Sequence, residues 1–120
     1  ASVAIVTYGS LFSNAVKAQE KLREYDIDVK IIKLNRAWPI DESAIVQAKK
    51  ADTVLFFEEG IKAGGAGESF ATMLMEGGYK GDFSHIAIEN TFVHHASISE
   101  LEEEFDLSSD AMVQEVLRRV

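Results

Sequence analysis

The chain has 120 residues, the size of one domain, with 47% hydrophobic residues, a formal charge of −8 and no cysteine. The acid excess argues against nucleic-acid binding, which needs Lys and Arg to neutralise phosphates. The missing cysteines remove disulfides, thiolate catalysis and thiolate metal sites. The longest apolar runs, Val3 to Val6 and Val54 to Phe57, fall far below the roughly 20 residues that span a bilayer. No charged-then-apolar leader is visible, so a cytoplasmic location away from membranes is expected.

Ser2 to Tyr8 is rich in β-branched residues and predicts a buried strand. Gly9-Ser10 turns the chain, with Ser10 as a turn or cap residue, into a helix from Leu11 to about Tyr25. Phe12, Ala15, Val16 and Leu22 form its apolar face. Asp28 to Leu34 predicts a second strand. Pro39, the single proline, forces Trp38 towards extended geometry, and Trp38-Pro39 suits core packing or a subunit contact. Asp41 predicts an N-cap for a helix through Ala44, Ile45 and Ala48.

Thr53 to Phe57 predicts a third strand. It runs into Glu58-Glu59-Gly60 and then the cluster Gly64, Gly65 and Gly67. The helix that follows carries Phe70, Met73 and Leu74 on one face and ends at Gly77-Gly78. His85 to Ile88 predicts a fourth strand. Ser97 with Glu100 has capping-box spacing, and Ser108 predicts the N-cap of a separate terminal helix carrying Met112, Val113, Val116 and Leu117. The order β-α-β-α-β-α-β-α-α implies an α/β fold with a parallel sheet between helical layers. Function then gathers at the carboxyl ends of the strands.

The glycine cluster has two readings. One is a phosphate or carboxylate held on the N–H groups near Gly67, because helix amino termini carry unpaired donors. The other is a packing device that lets the helix lie close to the sheet. No Lys-Ser or Lys-Thr follows the glycines, and GGAG lacks the dinucleotide spacing. Glu58 and Glu59 are consecutive, so in a strand they point to opposite faces and cannot form a facing carboxylate pair. One is expected to cap a helix or bond loop amides, and the other to face a cleft. His94-His95 has no chelating spacing, and His85 stands apart from both. The run Glu100, Glu102, Glu103 and Glu104 suits a solvated helix face or a docking patch. No set of residues completes an active site.

Several motifs occur in one order: Val6-Thr7-Tyr8-Gly9-Ser10 before a helix, Pro39-Ile40-Asp41 after the second strand, and Glu58-Glu59-Gly60 before Gly64-Gly65-Ala66-Gly67. This resembles the C-terminal domain of the transketolase family of thiamine-diphosphate enzymes. The tail is similar to the 1-deoxy-D-xylulose-5-phosphate synthase branch at Phe92, His95, Ser97, Leu107 and Ser108, with Ala96 where that branch often has glycine. The resemblance covers essentially the whole chain.

It implies a three-layer α/β/α domain over residues 1–120, with a mainly parallel four-stranded sheet in the order 2-1-3-4. It implies a piece of a longer protein that condenses pyruvate with glyceraldehyde 3-phosphate, using thiamine diphosphate and magnesium. This chain has no G-D-G…N diphosphate–metal motif, so the expectation for it is no cofactor, no metal and no catalysis alone. Its expected role is dimer stabilisation, with the parent's other domains as partners and a homodimer as the assembly. Transketolase proper and the beta subunits of 2-oxo acid dehydrogenases are the alternative parents. A stand-alone anion- or effector-binding module is the alternative function. The residues expected at an interdomain or anion site are Glu58, Glu59, Gly60, Gly64, Gly65, Gly67 and His95.

Overall fold

The computed structural model describes residues 2–35, 39–60, 65–88 and 98–120, with residues 98–107 described by their backbone. Trp38, Gly64, His94, His95 and Ser97 lie outside the described residues. Strands β1 (Val3–Tyr8), β2 (Val29–Leu34), β3 (Thr53–Glu59) and β4 (Asp82–Ile88) alternate with helices α1 (Leu11–Arg23), α2 (Glu42–Ala48), α3 (Gly65–Glu76) and α4 (Ile98–Leu117). The sheet order is β2-β1-β3-β4, and every pairing is parallel.

Side-chain alternation splits the core into two layers. Val3, Ile5, Leu55 and Phe57 point to one face, where Ala15, Ala18 and Leu22 of α1 and Met112, Val113 and Val116 of α4 cover them. Ala4, Val6, Val54 and Phe56 point to the other, under Ala44, Ile45 and Ala48 of α2 and Phe70 and Leu74 of α3. Central strands buried on both sides explain the continuous apolar runs of β1 and β3. Phe56, Phe57 and Phe70 are fully buried, each worth roughly 2 kcal/mol or more of burial.

Helix α1 stops two residues before its expected end. Asp26 takes the left-handed conformation (φ 58°), and the Ile27 N–H donates back to the Leu22 carbonyl. Its inward face is Leu11, Asn14, Ala15, Ala18 and Leu22, whereas Phe12 and Val16 are half-buried. Gly78 (φ 84°) ends α3 at the expected Gly77-Gly78. Asp41 stands in the extended N-cap position of α2 without a side-chain cap bond. Strand β4 begins three residues earlier than expected, and β3 runs on through both glutamates.

The expected break between two terminal helices is absent. One helix, α4, runs from Ile98 to Leu117, and Ser108 lies inside it, 8% exposed, and is not an N-cap. The stretch has no Gly or Pro to interrupt it, and tertiary packing overrides the modest helix cost of two serines. Asn14 of α1 donates to Ser109 Oγ at 3.5 Å, so the serines face α1 where the helices meet.

Candidate functional site

The carboxyl ends of β1 and β3, the middle of β4 and the start of α3 meet at Glu58. Its side chain is fully buried, and burial of a carboxylate is tolerated only when donors surround it. Three donors come from three elements. The Tyr8 hydroxyl of β1 donates to Oε2 at 2.6 Å. The Gly67 backbone N–H of α3 donates to Oε1 at 3.1 Å. His85 Nε2 of β4 lies 2.5 Å from the same Oε1, so the ring proton there points at the carboxylate.

Strand alternation explains the gathering. Val54, Phe56 and Glu58 share the α3 face of β3, and in the β3–β4 register Phe56 stands beside His85. Tyr8 follows Ala4 and Val6 on the same face of β1. Rings finish the wall: Phe56 meets His85 edge-on at 5.7 Å and Phe70 at 5.3 Å, and Phe70 stacks on Phe83 at 6.3 Å.

Gly67 is what allows the approach. A Cβ at that position would stand about 2.5 Å from Cε1 and Nε2 of His85, closer than side-chain atoms approach one another. Gly65 meets nothing within 4 Å, so its missing side chain serves no packing purpose. Of the two glycine readings, the geometry at Gly67 carries both in one. The amide does hold a carboxylate, and the carboxylate belongs to the chain itself.

Glu59 points the other way, as consecutive strand residues must. It accepts a hydrogen bond from the Ser10 hydroxyl on the α1 side of the sheet. Ser10 occupies the N-cap position of α1 but makes no side-chain cap bond. The two glutamates therefore grip the Tyr8-Gly9-Ser10 turn from opposite faces. Gly60 follows them directly and is half-buried.

Burial, and then the hydrogen bond to Glu58 and its charge, push the Tyr8 hydroxyl up to about 12, with Glu59 adding to the rise. Among the described residues, both Glu58 oxygens are bonded within the chain, Oε1 twice and Oε2 once. His85, which the sequence reading gave no role at this edge, is the third donor to Glu58. No local pattern signals this, because it is the β3–β4 register that sets His85 beside Phe56 and within reach of Glu58.

Among the described residues, no group of three His, Asp or Glu side chains could hold a metal ion. The sequence also lacks the G-D-G…N motif, so the residues present do not fit thiamine diphosphate with its metal. No helix among the described residues is long and apolar enough to cross a membrane.

The family match agrees with this architecture. Residues 1–112 match the family described as Transketolase, C-terminal domain. A 1-deoxy-D-xylulose-5-phosphate synthase from Bacillus mycoides (strain KBAB4) is 30% identical over 115 residues, covering 94% of this chain and 18% of the relative. The Bacillus cereus (strain B4264) protein of the same name gives the same identity and coverage. The chain thus spans about a fifth of the length of these relatives. A solved flavodoxin-like domain from Synechococcus sp. superimposes with a TM-score of 0.46 at 9% identity, covering 96% of this chain and 99% of that domain. On the family match and its sequence relatives, the chain belongs to the transketolase C-terminal domain family.

Proposed function

We infer that the chain serves as a non-catalytic C-terminal domain of a thiamine-diphosphate-dependent transferase in the cytoplasm, of the 1-deoxy-D-xylulose-5-phosphate synthase kind. Its work is to stabilise a homodimer and to pack against the parent's other domains. The parent's cofactor chemistry, pyruvate plus glyceraldehyde 3-phosphate towards isoprenoid precursors, belongs to those domains.

The observation that carries this reading is the state of Glu58. The one fully buried carboxylate among the described residues is bonded by Tyr8, Gly67 and His85, which is how a structural hub is built. General acid–base work needs a group within reach of a substrate proton. The sequence relatives point to the same parent. In this reading Glu58, Glu59, Gly60, Gly64, Gly65, Gly67 and His95 belong to an interdomain edge. An outside anion at Gly67 would first have to displace Glu58, which favours this reading over an effector-binding module.

Calorimetric titration of the chain with thiamine diphosphate and magnesium tests the assignment. No binding heat is expected from this chain, and tight binding would overturn it.

A further inference from the structure

The two edges of the sheet are built differently. The β2 edge carries Lys30 and Lys33, charges of the kind that discourage strand addition. The β4 edge, Asp82-Phe83-Ser84-His85-Ile86-Ala87-Ile88, has no lysine, arginine or proline. Phe83 on one face and Ile86 on the other are only partly covered, so the core is unfinished on both sides of the same strand.

The direction of the free backbone groups follows from one bond. The Asp82 N–H donates inward to the Asp52 carbonyl. Alternation then turns Phe83, His85 and Ala87 outward, each with an N–H and a C=O pointing away from β3.

We propose that this edge pairs with the β4 edge of a second copy, antiparallel, about a two-fold axis through Ser84. This deepens the dimer part of the function inferred above by assigning it a surface. The register follows from the sequence. With the axis at Ser84, Phe83 faces His85 of the second copy twice over, an aromatic cross-strand pair on the α3 side. Ala87 lies opposite Gly81 of the second copy, just before that strand begins at Asp82, and the outward groups of the Phe83–His85 pairs meet as hydrogen-bonded pairs. On the opposite face Arg119 already reaches Ser84 Oγ at 3.3 Å. That places its guanidinium a diagonal step from Asp82 of the second copy, while Glu115, which Arg119 already pairs at 2.7 Å, offsets the charge where the two Arg119 side chains approach the axis. An axis at His85 would instead set two imidazoles against each other and leave Phe83 facing alanine.

The chain has no cysteine, so single-cysteine variants give an unambiguous readout. Ser84 would oppose itself as a non-hydrogen-bonded pair, with Cα atoms about 4.5 Å apart, within the range a disulfide spans. Ser84→Cys is expected to cross-link under mild oxidation at least about tenfold faster than Ala87→Cys, whose two copies lie far apart in this register. Sedimentation of the unmodified chain at about 0.5 mM is expected to show species of twice the 13.2 kDa chain mass. Ala87→Pro removes an outward N–H at a position where an edge strand tolerates proline, and it should return the chain to the monomer.

A monomer at every concentration overturns the proposal, and with it dimerisation through this domain. A dimer that survives Ala87→Pro, with Ser84→Cys no faster than Ala87→Cys, overturns the β4 surface while the dimer reading stands. If Ala87→Pro fails to fold, the cross-linking rates decide alone.

Discussion

His85 lies across Gly67, its imidazole filling the space that a Cβ there would need, while Nε2 holds the buried carboxylate of Glu58. Glycine, imidazole and carboxylate thus form one packing unit that brings the start of α3 onto the ends of β3 and β4.

That relationship separates two glycines that look alike in the sequence. Gly67→Ala should cost about 2 kcal/mol, as overpacking in a filled site does. Gly65→Ala should leave stability unchanged or raise it by up to about 1 kcal/mol, because alanine favours the helix. Urea unfolding of both variants measures the contrast. Adding His85→Ala to Gly67→Ala should recover part of the loss, and a strictly additive double mutant would contradict the contact.

Glu58→Ala leaves the Tyr8 hydroxyl and the Gly67 N–H without their buried acceptor. The expected loss is about 3 kcal/mol or more. Glu58→Gln keeps one acceptor oxygen and should lose less. Glu59→Gln, whose bond to Ser10 is exposed, should shift the unfolding midpoint little. A larger effect at Glu59 than at Glu58 would invert the assignment of the hub.

The Tyr8 hydroxyl gives an alkaline signature. Its native value is pushed up to about 12 from 10.0, so folding favours the protonated phenol. Stability from this group is complete below pH 10. Above that the unfolded chain ionises first, and the contribution drains away as pH rises towards about 12. Phenolate absorbance should show a transition near 12 that Tyr8→Phe deletes, and Tyr8→Phe should flatten the fall in stability over that window. A Tyr8 transition near 10 would show that the Glu58 bond is absent in solution.

Thr7 offers the opposite test, since its Oγ1 is buried with no hydrogen-bond partner among the described residues. Thr7→Val keeps the shape and removes a desolvated hydroxyl. Stability should hold or rise by about 1 kcal/mol in urea unfolding. A loss of that size would reveal a bonding partner for the hydroxyl, such as a buried water.

Periodicity and β-branching made the four strands, and with the family resemblance their order, legible before any coordinates. The opposite orientations of Glu58 and Glu59 were legible too, because alternation requires them. The hub was not. It depends on the β3–β4 register, which sets His85 beside Phe56, and register is a long-range property that no local pattern encodes. Ser108 misled for a related reason. A serine before an apolar helical run has the signature of a cap, yet here the α1 surface provides the packing that carries the helix through it.

The paired grip on the first turn makes chain length at that corner a matter of handedness. Inserting one residue between Phe57 and Glu58 would swap which carboxylate faces which layer. The carboxylate that Tyr8, Gly67 and His85 bond would then face the α1 side, and the inserted side chain would take its buried place. Across the β1–α1 corner, a substitution weakens a bond, whereas a one-residue length change turns the domain's best-satisfied charge into its worst-placed one.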